Sequence, residues 1–283
     1  MKTVFSGIQP TGKVHLGNFL GAINNWVEMS NSKNKNYFCV VDLHSLTTHP
    51  DPKTMEENIL STVKVLIAAG INLNNSTIYV QSKVPEHAQL SWVLSNFCQI
   101  GELQRMTQFK EKSSELGNHA GILTYPILMT SDILIHKANE VPVGDDQTQH
   151  LELTRNIAER FNNKYGDIFP VPEKTSGKVG ARLMSLRHPE NKMSKSADDI
   201  NGTIYFDDTK DKIMKKFQSS VTHNQGDCNT FEWKITHISF FSNNMAEGFL
   251  STKKTNHNFQ KIEDDSILGF LLVIVCKNSL RKK

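Results

Sequence analysis

Two stretches of this 283-residue chain hold residue types that handle phosphate. The first is Lys192-Met193-Ser194-Lys195-Ser196, in which two lysines separated by a Met-Ser pair can bracket a polyphosphate and follow negative charge as it develops. The second lies far upstream, at Pro10-Thr11-Gly12-Lys13-Val14-His15-Leu16-Gly17-Asn18. It is a glycine-bearing turn between a strand-like run, Thr3 to Gly7, and a helical pattern that begins near Leu16. A strand, turn and helix in succession gather backbone N–H groups and the positive end of the helix dipole at one point, which favours phosphate. Gly7, Gly12 and Gly17 permit close backbone approach, while His15 and Asn18 offer donors to phosphate or ribose oxygens. Taken alone, each stretch also has an ordinary reading, as a capped βα turn or as a solvated lysine pair.

Positioning such groups requires a scaffold, and the first 170 or so residues alternate short β-branched or aromatic runs with longer helical patterns, as parallel βαβ units do. Thr3 to Gly7, Tyr37 to Asp42, Thr77 to Gln81 and Val141 to Gly144 read as strands. Leu16, Phe19, Leu20, Ile23, Trp26 and Val27 share one helical face, and Ile59, Val63, Leu66 and Ile67 share another on a helix from Glu56 to Ala69 that Gly70 would stop. Residues 82–136 add a helical block, from Pro85 to Cys98, around Leu103 to Lys112, and from Leu123 to His136. Such a block between strands is expected as an insertion against a sheet edge or a partner subunit. A helix from about Asp146 to Tyr165 follows, and then Pro170, Pro172, Gly177 and Gly180 mark a loop-rich passage that carries the lysine pentapeptide. From about His223 the composition shifts toward Asn, Phe and Ser, and no internal repeat is present.

Bulk properties set limits. With 38% hydrophobic residues the chain can bury a sizeable core, sufficient for one large domain and a smaller one. A net charge of +3 announces no global nucleic-acid field. Cys39, Cys98, Cys228 and Cys276 lack Cys-x-x-Cys spacing, which argues against a zinc site or disulfide framework and for a reducing compartment. The start, Met1-Lys2-Thr3-Val4-Phe5, has neither an apolar signal core nor an Arg-rich presequence, so a cytoplasmic protein is expected, with an organellar origin left open. The apolar run from Ile267 to Cys276 is half the length of a spanning helix, which needs about twenty residues.

The turn with His15-Leu16-Gly17-Asn18 and the later Lys-Met-Ser-Lys-Ser loop together resemble the two signatures of class I aminoacyl-tRNA synthetases, with Asn18 where a second histidine often stands. Further segments narrow the resemblance. Phe5 to Gly12 (FSGIQPTG), Gly101 to Lys110 (GELQRMTQFK), Leu123 to Met129 (LTYPILM) and Val141 to Gln147 (VPVGDDQ) are similar to the bacterial-type tryptophanyl-tRNA synthetase family, nearly continuously from Lys2 to about Thr222.

The resemblance implies an α/β fold: a Rossmann-type doubly wound parallel sheet with a helical insertion in a catalytic domain over 1–222, then an atypical, truncated C-terminal region. It implies activation of L-tryptophan with ATP, with Mg²⁺ held mainly by the ATP phosphates rather than by a metal site of the protein. Tryptophan would then pass to tRNA(Trp), and a homodimer would do this work. Asp132 would read the indole N–H, which has no competing acceptor. Phe5, Gly7, Met129, Val141 and Val143 would wall the ring, and Tyr125, Gln147, Gln9 and His44 would orient the amino-acid head group. For ATP the resemblance implies Gln9, Pro10, Thr11, His15, Gly17 and Asn18 at phosphates and ribose, Gly144, Asp145 and Asp146 at the opposite strand end, and Leu183 against adenine. Lys192, Met193, Ser194, Lys195 and Ser196 would clamp the pyrophosphate. Lys192 and Lys195 with Gln147 form the catalytic set, and Lys112 is a further phosphate contact for which Lys110 is nearly as suitable.

After Ser220-Val221-Thr222 the sequence leaves the family pattern, and residues 223–283 are too few for the usual anticodon-binding bundle. A tyrosine-specific relative, and a paralogue that binds tryptophan and ATP without transfer to tRNA, therefore stay open as alternatives.

Overall fold

The computed structural model describes residues 1–175, 183–191, 193 and 199–220. Of the lysine pentapeptide only Met193 falls among them, and the tail from 223, with its apolar run at 267–276, lies outside the described residues. The chain divides into two compact units: Met1–Gly12, Asn25–Leu66 and Ile71–Val179 in the first, Lys13–Asn24, Ile67–Gly70 and the described residues after Gly180 in the second.

The first unit is built on a parallel sheet of β1 (Thr3–Ile8), β2 (Lys35–Val40), β3 (Ser76–Val80), β4 (Glu140–Pro142) and β5 (Glu173–Thr175), in the order β3-β2-β1-β4-β5. The order reverses between β1 and β4, as it does in a doubly wound Rossmann-type sheet, so the expected fold class is borne out. Register follows the pleat, with Phe5 opposite Tyr37 and Gly7 opposite Cys39. Alternation along β1 sends Val4 and Ser6 to one face and Phe5 and Gly7 to the other. On the first face Trp26 stacks on Phe38 at 4.7 Å, and its indole donates to Ser6 Oγ at 3.0 Å.

The helices are α1 (Leu16–Asn18), α2 (Asn24–Ser30), α3 (Asp42–Ser45), α4 (Pro52–Ala68), α5 (Glu86–Ser95), α6 (Ile100–Gln104), α7 (Thr107–Leu116), α8 (Ala120–Ile135), α9 (Thr148–Tyr165) and α10 (Lys210–Gln218). A π-type turn over Phe19–Ile23 joins α1 to α2. No described helix is long and apolar enough to cross a membrane.

The helical block behaves differently from expectation. Its longest member, α8, does not lie at the sheet's edge: it packs on β1, the middle strand, as well as on α5 and α9. The reason is its composition, for Ile122, Ile127, Ile133 and Leu134 are all buried and join Phe5, Cys39, Val41, Val141 and Leu151 in one core. Strand ends also move. Asp42 begins α3 and Gln81 a short 3-10 turn, Val143 and Gly144 lie past the end of β4, and β5 falls in the passage read as loop.

Candidate active site

Asp132, on the fourth turn of α8, is 1% exposed and stands at the centre of a polar cluster. His44 Nε2 lies 2.8 Å from Oδ2, His87 Nδ1 2.7 Å from Oδ1, and Gln81 Nε2 donates to Oδ1 at 2.7 Å and to Oδ2 at 2.9 Å. Burial pushes this carboxyl up, but the hydrogen bonds from His44 and His87 outweigh it and hold the group below its ordinary value. The four side chains come from different elements: α8, α3, the turn after β3 and α5. Asp132 and His44 are both sequence candidates, but His44, expected at the amino-acid head group, has its ring bonded to Asp132 instead. Gln81 and His87 are not candidates, because a polar residue just past a strand and a histidine near a helix start carry no pattern of their own.

A second group converges on Tyr125, about two turns before Asp132 on α8. Its hydroxyl donates to Gln108 Oε1 at 3.0 Å and lies 2.8 Å from His150 Nε2, while Lys112 Nζ sits 4.3 Å from the ring centroid. Gln108 in turn donates to the Asp146 carbonyl at 3.2 Å, and Gln147 Nε2 donates to Asp146 Oδ2 at 2.7 Å. Tyr125, Lys112, Asp146 and Gln147 are thus brought together through Gln108, a residue of the Gly101–Lys110 segment whose type alone suggests no role. Burial lowers the Lys112 ammonium, with Asp146 and Glu115 acting in the opposite sense. Lys110 is exposed to water, so Lys112 is the lysine the fold places beside the other candidates. His44 meets the Tyr125 ring edge-on at 6.2 Å, joining the two groups.

Among the apolar candidates, Phe5 and Val141 are buried in the core, and Met129 and Val143 are half-buried against it. A side chain at Gly7 would bring a Cβ within 2.9 Å of Val41, so glycine keeps β1 close to its neighbour there. Gln9, Pro10 and Thr11 follow β1, while Gly144, Asp145 and Asp146 follow β4. These are the carboxyl ends of the two strands between which the sheet order reverses, the place where doubly wound sheets receive ligands. Asp145 pairs with Lys174 at 2.7 Å, and this hydrogen bond and charge lower its carboxyl.

The second unit holds the remaining nucleotide candidates. His15 and Asn18 form a reciprocal cap: His15 Nδ1 accepts the Asn18 N–H at 3.3 Å, and Asn18 Oδ1 accepts the His15 N–H at 3.2 Å. Nδ1 of His15 is therefore an acceptor, which places a ring proton on Nε2. The segment is pinned by an antiparallel bridge, Leu16 N–H to the Ile204 carbonyl at 2.9 Å and Phe206 N–H to the Val14 carbonyl at 3.0 Å. Buried Lys216 secures that strip by donating to the Thr203 carbonyl at 2.8 Å and to Asp208 Oδ2 at 2.5 Å. At Gly17 a Cβ would come within 3.0 Å of the His15 ring and 3.9 Å of Leu183 Cβ. Leu183 and Met193 are both buried, and the Met193 N–H donates to the Leu183 carbonyl at 2.9 Å. Lys192, Ser194, Lys195 and Ser196 lie outside the described residues.

A doubly wound sheet with Gln9, Pro10, Thr11, Gly144, Asp145 and Asp146 at its switch point is a scaffold of nucleotide-using enzymes, and the sequence profile of the family described as tRNA synthetases class I (W and Y) matches residues 1–280. Tryptophan–tRNA ligase of Oceanobacillus iheyensis is 51% identical over 227 residues, covering 80% of this chain and 69% of the relative. Its Bacillus subtilis counterpart is 49% identical over 228 residues, covering 80% and 68%. The crystal structure of tryptophanyl-tRNA synthetase from Campylobacter jejuni, complexed with ADP and tryptophan, superposes with a TM-score of 0.72 at 33% identity over 79% of this chain and 69% of that one. The chain belongs to the bacterial-type tryptophan–tRNA ligases of class I. It spans about two thirds of the length of the relatives it matches.

Proposed function

We propose that this chain activates L-tryptophan with Mg²⁺-ATP, forming tryptophanyl-adenylate and pyrophosphate, and then transfers tryptophan to tRNA(Trp) in the cytoplasm. The observation that carries this reading is the buried, charged acceptor at Asp132 on the helix that also presents Tyr125 and Met129. An indole is a large apolar plane with a single N–H donor, and a carboxylate kept ionised away from water is its natural complement. Phe5, Met129, Val141 and Val143 supply the apolar walls. Tyr125 and Gln147, with Gln9, hold the amino-acid head group. The relative from Campylobacter jejuni, whose structure contains ADP and tryptophan, supports the same pair of ligands here.

In the activation step the tryptophan carboxylate oxygen attacks the α-phosphorus in line, the bond to the bridging oxygen breaks, and its electrons leave with pyrophosphate. No side chain need serve as nucleophile. Cations that tighten as the leaving group gains charge lower the barrier, which is the part assigned to Lys192 and Lys195, with Lys112 as a third contact. His15, Gly17 and Asn18 are assigned to the phosphate and ribose side.

A second copy of this chain is the proposed partner for α5, where Trp92 and Val93 are exposed, and for exposed Ile100 on α6. Sedimentation at the mass of a monomer would remove that part of the reading. Residues 223–283 are assigned to a region that diverges from the family pattern.

The deciding experiment is amino-acid-dependent exchange of labelled pyrophosphate into ATP. Exchange with tryptophan and not with tyrosine is expected. Exchange driven by tyrosine would point to the tyrosine-specific relative, and no exchange with any amino acid overturns the activity.

A further inference from the structure

Asp132 is engaged more heavily than a reader of one N–H requires. Behind His87 lies a further layer: the Tyr79 hydroxyl is 3.1 Å from His87 Nε2 and 2.6 Å from His136 Nε2. The His136 ring is stacked on Tyr37 at 4.1 Å and on Phe5 at 5.7 Å, so its plane is fixed. Burial pushes the His136 imidazole down to about 4, leaving it neutral with one ring proton near neutral pH.

The string is continuous: His136 Nε2 meets the Tyr79 hydroxyl, that hydroxyl meets His87 Nε2, and His87 Nδ1 donates to Asp132 Oδ1, because a carboxylate only accepts. The other oxygen is held differently. Oδ2 meets His44 Nε2 at 2.8 Å, and Gln81 Nε2 reaches Oδ1 at 2.7 Å and Oδ2 at 2.9 Å, so Gln81 can release Oδ2 and still be satisfied while His44 keeps its bond and one lone pair of Oδ2 is freed.

We propose that His136, Tyr79 and His87 form a positioning relay for amino-acid selection: they lock Asp132 through Oδ1, and the substrate's ring N–H takes the place on Oδ2 that Gln81 gives up. The inference rests on the reading of this site as a tryptophan pocket. His87, Tyr79 and His136 are positioning residues, acting on the substrate through Asp132. Their effect is on selectivity for a ring donor, because a carboxylate free to turn would pair less well with the N–H and reject its absence less strongly.

The test uses the full chain, with titration calorimetry of tryptophan and of an analogue in which sulfur replaces the ring N–H, and ATP titrated separately. Tyr79→Phe removes one hydroxyl and keeps the ring, so the fold is retained. It is expected to weaken tryptophan about tenfold, to narrow the preference over the sulfur analogue by a similar factor, and to leave ATP affinity within about twofold. His87→Leu should act in the same way, and His87→Asn, which keeps an N–H near the Nδ1 position, should restore most of the preference. An unchanged preference in Tyr79→Phe, or parallel loss of tryptophan and ATP, overturns the relay while leaving the pocket in place. Failure of the unaltered chain to bind tryptophan overturns both.

Discussion

Asp132 offers a carboxylate to three protein donors, and this crowding decides what a conservative change there would do. Asparagine has nearly the same shape but presents an NH₂ where one oxygen stood, so at least one of His44, His87 and Gln81 would face a donor with a donor. Asp132→Asn is expected to raise the KM for tryptophan in pyrophosphate exchange by about ten- to a hundredfold, with the KM for ATP within about twofold. Equal weakening of both substrates would show that the residue supports the fold generally and is no indole reader. At this scale the sequence singles out Asp132, His44, Tyr125 and Gln147 through the family resemblance, and the fold gathers them into two linked clusters. It was silent on Gln81, His87 and His136. They meet only because β3, α5 and α8 bring them together, and partnerships across 45 to 57 residues leave no local trace.

Elements were legible in proportion to how strongly burial shaped them. β1, β2 and α9 announce themselves by apolar runs or helical spacing, whereas β5, Glu173-Lys174-Thr175, is a short polar edge strand defined only by pairing with β4. α8 was found as a helix but misplaced. Its sequence is apolar on nearly all sides, which is the mark of burial on several surfaces rather than of an edge. In the second unit the strip that pins His15 depends on α10, through the buried pair of Lys216 and Asp208, whose side chains are 5% and 8% exposed. Removing one partner would leave the other charge buried and unpaired, so Asp208→Asn is expected to cost about 3–5 kcal/mol in the unit that contains it. Denaturant unfolding followed by circular dichroism measures this. A loss within the range of an exposed pair, about 1 kcal/mol or less, would show that the pair is solvated in the native protein.

The chain as a whole should be sensitive to acid, because buried Asp132 and His150 and half-buried His136 push in one direction. His136 and His150 are both lowered from 6.5 to about 4, chiefly by burial, so the native state keeps them neutral at pH values where the unfolded chain has already bound their protons. Between pH 6.5 and about 4 the unfolded state therefore holds more protons than the native one, and stability must fall as pH falls through that window. Asp132 extends the loss. Its carboxyl is held below the ordinary 3.8, so the stability it contributes is complete above that value and disappears as pH drops beneath it. The urea midpoint is accordingly expected to be level from pH 8 to about 7 and then to decline steadily toward pH 4. His150→Asn removes one of the two imidazoles and keeps a polar atom for the Tyr125 hydroxyl, which lies 2.8 Å from His150 Nε2 in the native protein. That variant should start from a lower midpoint at pH 8, because Tyr125 loses packing, but decline less steeply between pH 6.5 and 4. A decline as steep as that of the unaltered chain would place the acid sensitivity elsewhere and show that His150 takes up its proton in the folded state.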